Sequence, residues 1–124
     1  MAFIVTCSTR INNTAMLNIL RNLMGGGSSE GIGEALRAGA TIIDVRSPME
    51  FRGGHVVGSK NIPLPEVEGW LAKQPKSASF VFCCASGGRS GSATSLATSK
   101  GYSAINGGPW TSVNRAVADM EGAK

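Results

Sequence analysis

The sequence predicts an α/β fold in which helices cover both faces of an open parallel sheet. The first observation is a pair of short runs, residues 41–45 (TIIDV) and 80–83 (FVFC), that are apolar at nearly every position. Strands of this kind are buried on both faces, which is typical of parallel sheets. The second observation is that helical patterns separate the predicted strands along the chain, as the crossover connections of a parallel sheet require.

Each element is predicted from its own local signals. The first helix has an apolar stripe at Ile32, Ala35 and Leu36, and Gly39 ends it. Pro65 suits the start of the second helix because its fixed φ angle is tolerated in the first turn. In chain order we predict a helix between residue 29 and Gly39, a strand over residues 41–45, a helix over 66–73, a strand over 80–83, a helix over 90–100, a strand over 102–105 and a helix over 110–120.

The chain divides into an N-terminal segment, residues 1–28, and a domain, residues 29–120. The segment is predicted to be a short helix, capped by Asn12 or Asn13, followed by a Gly/Ser-rich linker. Such a helix could dock on the domain, pair with a neighbouring molecule or remain loose. A membrane foot is disfavoured because the polar face is mostly Asn rather than Lys. The apolar residues at helical spacing are Met16, Leu17, Leu20, Leu23 and Met24.

Composition and charge exclude several classes of function. Among the 124 residues no apolar run is long enough to span a bilayer, and the first residues lack the features of a signal peptide, so we expect a cytoplasmic protein without a membrane partner. The net charge is +4, but the 12 basic residues are scattered and only seven residues are aromatic, which disfavours nucleic-acid binding. A mildly positive field suits small anionic substrates better.

The cysteines predict neither a disulfide framework nor a metal site. There are three, Cys7, Cys83 and Cys84, and a bridge between the two neighbours would be strained. One histidine and no C-x-x-C pair leave too few ligands for a structural metal. We therefore expect free thiols and neither a metal nor an organic cofactor.

A loop of small residues follows the second predicted strand and carries the chemistry. It comprises Ala85, Ser86, Gly87 and Gly88 and leads into the helix that begins near Ser90. Ligands of α/β sheets bind beyond the carboxyl ends of the strands, where this loop lies. Its N–H groups can turn inward as an anion-binding nest, with the positive end of the helix behind them. At the centre of the nest, Cys84 should have a depressed pKa and be largely a thiolate.

Arg89 completes this loop and has two alternative roles. It can hydrogen-bond the loop carbonyls and so close the loop, or its fork of donors can reach a bound oxyanion.

Four sequence motifs, in the same order, resemble the signatures of rhodanese domains over about residues 29–115. The likeness is greatest to the short single-domain bacterial members, and residues 1–28 lie outside it. The motifs are residues 43–51 (IDVRSPMEF), residues 54–63 (GHVVGSKNIP), the active-site loop at residues 84–90 (CASGGRS), and Gly101-Tyr102 with Gly107-Gly108 and Trp110.

The resemblance implies a doubly wound α/β fold with about five parallel strands, and a sulfurtransferase that carries sulfur as a persulfide on Cys84. The sulfur would pass from thiosulfate, or from a protein or small persulfide donor, to a thiol or to cyanide. Residues 84–89 form a six-residue loop, which suits one sulfur atom, whereas related phosphatases and arsenate reductases use seven residues for a larger oxyanion. Only Ala, Ser and Gly precede Arg89, so thiosulfate itself is expected to be a poor donor.

The remaining polar residues of the motifs are expected to support the loops rather than to react. They are Asp44, Arg46, Glu50 and His55. A general base at His55 is the weaker alternative, because a thiolate activated by its surroundings needs none. Cys83 is expected to point into the core. A non-enzymatic module that presents the fold to a protein partner remains the alternative function, although such a module has no need of the cysteine and its loop.

Overall fold

The computed structural model describes residues 29–122, in which five helices alternate with four strands. The helices are α1 (Ser29–Arg37), α2 (Pro48–Arg52), α3 (Leu64–Leu71), α4 (Gly88–Ser99) and α5 (Trp110–Gly122). The strands are β1 (Thr41–Asp44), β2 (Lys60–Asn61), β3 (Ser79–Cys84) and β4 (Ser103–Pro109).

The strands form one parallel sheet in the order β2-β1-β3-β4. The chain moves outward from β1 to β2 and then returns past β1 to β3, so the winding reverses between β1 and β3. A reversal of this kind opens a crevice at the carboxyl ends of the two strands. In the register of the sheet Asp44 lies beside Cys83, and Cys84 follows it at the edge of the crevice.

Two apolar layers hold the helices against the sheet, one on each face. One layer is formed with α3 and α4 and contains Phe80, Phe82 and Cys84 of β3; the other is formed with α1 and α5 and contains Val81 and Cys83. Because side chains alternate along a strand, the adjacent cysteines point to opposite faces. The predicted parallel sheet with helices on both faces is confirmed.

The sheet of residues 29–122 has four strands instead of the expected five or so, since only four of its segments are extended and β2 has two residues. Helix α2 was not among the predicted elements. Its N-cap, Ser47, accepts a hydrogen bond from the Glu50 N–H, and the Glu50 carboxylate accepts one from the Ser47 N–H. This capping box is a sequence signal for a helix start.

Strand β4 continues beyond its predicted end at Ile105 and contains a β-bulge. Phe82 pairs with Asn106 and Cys83 with Gly108, so Gly107 is the extra residue. Gly108 has a φ of +76°, a conformation that favours glycine. The bulge leaves Asn106 beside the start of α4, where its side chain contacts the loop described below.

The predicted N-terminal helix and linker, residues 1–28, lie outside the described residues, so that prediction stays open. Residues 29–122 contain no helix that is both long and apolar enough to cross a membrane.

Gly107 provides a test of the packing at the bulge. A methyl group there would lie 2.6 Å from Cγ2 of Val113 and 3.0 Å from the Phe82 carbonyl oxygen. Gly107→Ala should therefore lower the free energy of unfolding by about 1–3 kcal/mol, measured by urea denaturation. Gly69→Ala is the matched control, because a methyl group at this exposed position of α3 meets nothing within 4 Å. It should raise stability by ~0.5 kcal/mol, and equal stabilities of the two variants would contradict the assigned packing.

Candidate active site

Cys84 is the last residue of β3, and its sulfur lies inside the turn that leads into α4. The turn residues Ala85, Ser86 and Gly88 are exposed, and Gly87 is the N-cap of α4. Gly87 has a φ of +110°, so the turn depends on a residue without a side chain at this position. The buried strand therefore delivers a thiol to the helix N-terminus.

Three hydrogen-bonding groups contact the sulfur of Cys84. The Gly87 N–H donates to Sγ at 3.0 Å, the Ser90 N–H lies at 3.4 Å, and the Ser90 hydroxyl oxygen lies at 3.3 Å. Ser90 is fully buried, so water does not compete for its hydroxyl. The contacts form at the positive end of the α4 dipole, which favours negative charge on the sulfur.

The surroundings of Cys84 act on its pKa in opposite directions. Burial is the largest single effect and raises the pKa. The Ser90 hydroxyl and the backbone N–H groups of Ser90, Gly87 and Ser86 lower it, and together they outweigh burial, so the pKa of Cys84 lies below the ordinary thiol value of 9.0. The sulfur is fully covered in the closed turn, but the small residues around it are themselves exposed.

Cys83 faces the opposite side of the sheet and lies in an entirely different environment. It is fully buried among apolar side chains of the layer formed with α1 and α5. Burial and the nearby Asp44 carboxylate raise the pKa of Cys83 to about 12. The two thiols are free, and only Cys84 is in surroundings that favour a thiolate.

Arg89 pairs with Glu50 of α2 in the structure, and not with the carbonyls of its own loop. Its two terminal nitrogens donate to the two carboxylate oxygens at 2.8 and 3.0 Å. The guanidinium, followed by the contact with Ser47, lowers the pKa of Glu50 to about 2. Both side chains are about two-fifths exposed, at 40% and 38%. The pair ties the start of α4 to α2.

Asp44 and Arg46 form a buried ion pair at the end of β1. Three nitrogens of Arg46, including its backbone N–H, donate to the Asp44 carboxylate at 2.7–3.0 Å, and the guanidinium also donates to the Gly54 carbonyl. The Arg46 guanidinium lies 5.1 Å from the ring centroid of Trp110, a cation–π contact. These contacts connect the loop after β1 with the loop before β2 and with the start of α5.

His55 lies away from the sulfur and has its own partners. Its ring stacks on Phe51 with centroids 3.7 Å apart, and Nδ1 lies 2.7 Å from the Phe51 carbonyl oxygen. The side chain is exposed and has no contact with Cys84. These two contacts hold the His55 ring against the end of α2.

Asn106 contacts the active-site turn, although the sequence motifs gave no reason to single it out. Its Oδ1 accepts a hydrogen bond from the Ser90 hydroxyl at 2.7 Å, and its Nδ2 donates to the Gly87 carbonyl at 3.2 Å. The only available signal was its place immediately before the glycine pair of β4. Among the described residues no group of three or more His, Cys, Asp or Glu side chains is placed to hold a metal ion.

Comparisons with known proteins identify the family of the chain. The sequence pattern of the family described as "Rhodanese-like domain" matches residues 28–108. The Bacillus subtilis protein YqhL, described as uncharacterized, is 53% identical over 38 residues, which cover 28% of this chain and 30% of YqhL. Thiosulfate sulfurtransferase GlpE of Pseudomonas aeruginosa is 34% identical over 67 residues, which cover 54% of this chain and 61% of GlpE. In both relatives the match spans less than two thirds of their length.

Solved structures give the same result. The human single-domain sulfurtransferase TSTD1 superposes with a TM-score of 0.58 and 28% sequence identity, over 77% of this chain and 96% of TSTD1. The family match covers well over half of the chain and includes the turn around Cys84. On these grounds the chain belongs to the rhodanese-like domain family.

Proposed function

We propose that this protein is a sulfurtransferase that carries a sulfane sulfur as a persulfide on Cys84. The observation that carries the proposal is the set of backbone N–H groups directed at the Cys84 sulfur. Such donors favour a thiolate nucleophile, and they can equally stabilise the terminal sulfur anion of a persulfide. Relatives named thiosulfate sulfurtransferase support the same reaction class.

The reaction proceeds in two steps that pass through a covalent intermediate. The Cys84 thiolate attacks the outer sulfur of thiosulfate, an S–S bond forms, and sulfite leaves with the electron pair of the broken bond. A cyanide ion or a thiolate then attacks the outer sulfur of the persulfide. Thiocyanate or a new persulfide leaves, and the Cys84 thiolate is restored, which gives ping-pong kinetics.

The size of the turn supports sulfur rather than phosphoryl chemistry. Residues 84–89 form a six-residue loop with small residues between Cys84 and Arg89. The sulfur of Cys84 is covered when the turn is closed, so a donor reaches it only when residues between Cys84 and Arg89 move outward. Ala85 and Ser86 are exposed and have small side chains, so their outward movement loses few packing contacts.

The charge distribution favours a persulfide donor over free thiosulfate. Arg89 is the only basic residue of the loop, and Glu50 occupies both of its terminal nitrogens. A dianion approaching the sulfur would therefore meet a neutralised cation. We infer that the in-cell donor is a small or protein-bound persulfide and that thiosulfate reacts more weakly.

The first prediction from the proposed function concerns the persulfide itself. Incubation with thiosulfate or with a small-molecule persulfide should add one sulfur atom to the intact protein, and cyanide should remove it. Cys84→Ser should abolish the adduct, and the matched variant Cys83→Ala should retain it, because Cys83 lies in the core. Intact mass spectrometry measures both. A chain that gains no sulfur from either donor would instead be a non-enzymatic binding module.

The second prediction concerns the role of the turn amides. Alkylation of Cys84 should rise with pH to a midpoint below 9.0, the ordinary value for this thiol. Gly87→Ala should shift the midpoint upward and slow sulfur loading roughly tenfold, because the backbone conformation at Gly87 becomes strained and its N–H turns from the sulfur.

Gly88→Ala is the control for this variant. Gly88 is the next residue, its φ is not positive, and a methyl group there meets no atom within 4 Å. The midpoint should remain unchanged. Identical profiles for the two variants would show that the Gly87 N–H does not stabilise the thiolate.

The third prediction tests whether Glu50 limits the use of thiosulfate. Glu50→Gln keeps the capping box but releases the Arg89 guanidinium, so the KM for thiosulfate should fall, roughly threefold. Glu66→Gln changes the net charge equally at an exposed position of α3 and should leave the KM unchanged. Steady-state assays with cyanide as acceptor measure both values. A higher KM in Glu50→Gln would mean that the ion pair builds the donor site rather than masking it.

A further inference from the structure

The orientation of the Asn106 side chain is determined by two backbone groups. The Gly108 N–H, which can only donate, lies 2.9 Å from Oδ1, and the Gly87 carbonyl, which can only accept, lies 3.2 Å from Nδ2. A flipped amide would place donor against donor and acceptor against acceptor. The amide oxygen must therefore face the Ser90 hydroxyl.

This orientation decides which way the Ser90 proton points. Oδ1 of Asn106 has only lone pairs, so the short 2.7 Å contact requires the Ser90 hydroxyl to be the donor. A hydroxyl has one proton, so the hydroxyl then presents lone pairs to the sulfur of Cys84, 3.3 Å away. That contact suits a Cys84 thiol, which donates its proton to the hydroxyl oxygen. It is less repulsive to the uncharged inner sulfur of a persulfide than to a thiolate.

We infer that Asn106 is a positioning residue that withholds the Ser90 proton from Cys84 and so favours the neutral states of its sulfur over the bare thiolate. The Ser90 hydroxyl lowers the pKa of Cys84 only when it turns from Asn106 to the sulfur and gives up that hydrogen bond, so Asn106 limits this contribution. The backbone N–H groups of Gly87 and Ser90 are unaffected by this exchange. The turn amides favour the Cys84 thiolate, and Asn106 reduces that preference.

The inference rests on the proposed function and adds a role in the transfer cycle. In a persulfide the negative charge lies on the outer sulfur, and the inner sulfur needs no strong donor. The bond from Ser90 to Asn106 is then kept, and the turn amides remain available to the outer sulfur. Asn106 therefore favours the loaded form over the empty thiolate.

The other ionisable groups around the site do not explain this effect. Glu50 and Arg89 form one ion pair, Asp44 and Arg46 another, and the pKa of Cys83 is raised to about 12, so this thiol stays neutral. Strand β4 has no ionisable side chain. The ionisable side chains of helices α3 and α5 near the sheet are exposed, namely Glu66 and Glu68 of α3 and Arg115, Asp119 and Glu121 of α5.

The test is the pH profile of Cys84 alkylation by iodoacetamide, read at residue level by fragment-ion mass spectrometry. Asn106→Leu removes the acceptor while keeping similar volume, so the Ser90 hydroxyl becomes free to donate to the thiolate. The midpoint should move to lower pH, and alkylation below the wild-type midpoint should be roughly tenfold faster. The fraction of Cys84 loaded at a fixed ratio of donor to acceptor should fall. Asn114→Leu, the same change at an exposed position of α5, should leave the profile unchanged.

A double-mutant cycle separates positioning from general loosening of the turn. In a Ser90→Ala background Asn106→Leu should no longer move the midpoint, because the hydroxyl through which Asn106 acts is absent. A midpoint that rises in Asn106→Leu, or one that falls equally with and without the Ser90 hydroxyl, would overturn the inference.

Asn106→Asp is the second variant and keeps the test open if Asn106→Leu does not fold. A carboxylate would hold the Ser90 proton more firmly and add negative charge, so the midpoint should rise, and an unchanged or lower midpoint would count against the inference. Alkylation does not require sulfur transfer. A missing persulfide adduct therefore refutes the proposed function alone. A midpoint that falls equally with and without the Ser90 hydroxyl refutes the role of Asn106 alone.

Discussion

The site depends on the hydrogen bonds that the start of α4 directs at the Cys84 sulfur. Burial at the end of β3 opposes ionisation of the thiol, and the contacts from Gly87 and Ser90 reverse that effect. The reversal needs a turn that places successive N–H groups around one atom, and the positive φ of Gly87 supplies it. The rest of the domain serves to hold this turn in place.

The turn is held through side chains rather than through its own backbone alone. Arg89 attaches it to Glu50 of α2, and Asn106 attaches it to the bulge of β4. Glu50 follows the end of β1 and Asn106 lies near the end of β4, and the parallel sheet brings those ends to one edge. The buried pair of Asp44 and Arg46 joins the loop after β1 to the loop before β2 and to the start of α5, around a fully covered carboxylate.

Features that depend on neighbouring residues could be predicted from the sequence, whereas contacts between distant residues could not. The fold class and the turn around Cys84 have local signals, namely apolar strands and a run of residues without side chains. Helix α2 also has a local signal, the capping box of Ser47 and Glu50, although the helix was not predicted. The partner of Arg89 lies 39 positions earlier in the chain, and that of Ser90 lies 16 positions later. Such pairings depend on strand order and on the bulge, which no local pattern encodes.

The two adjacent cysteines show how the period of a strand separates chemistry from packing. They are the same residue type at neighbouring positions, yet the pKa of Cys83 is raised to about 12 and that of Cys84 is lowered below 9.0. The difference arises because alternate side chains face opposite layers, and of the two cysteines only Cys84 contacts the N–H groups at the start of α4. A shift of one residue in the register of β3 would place Cys83 under the turn and Cys84 in the opposite layer. The register of the sheet therefore selects which of the two sulfurs lies at the start of α4.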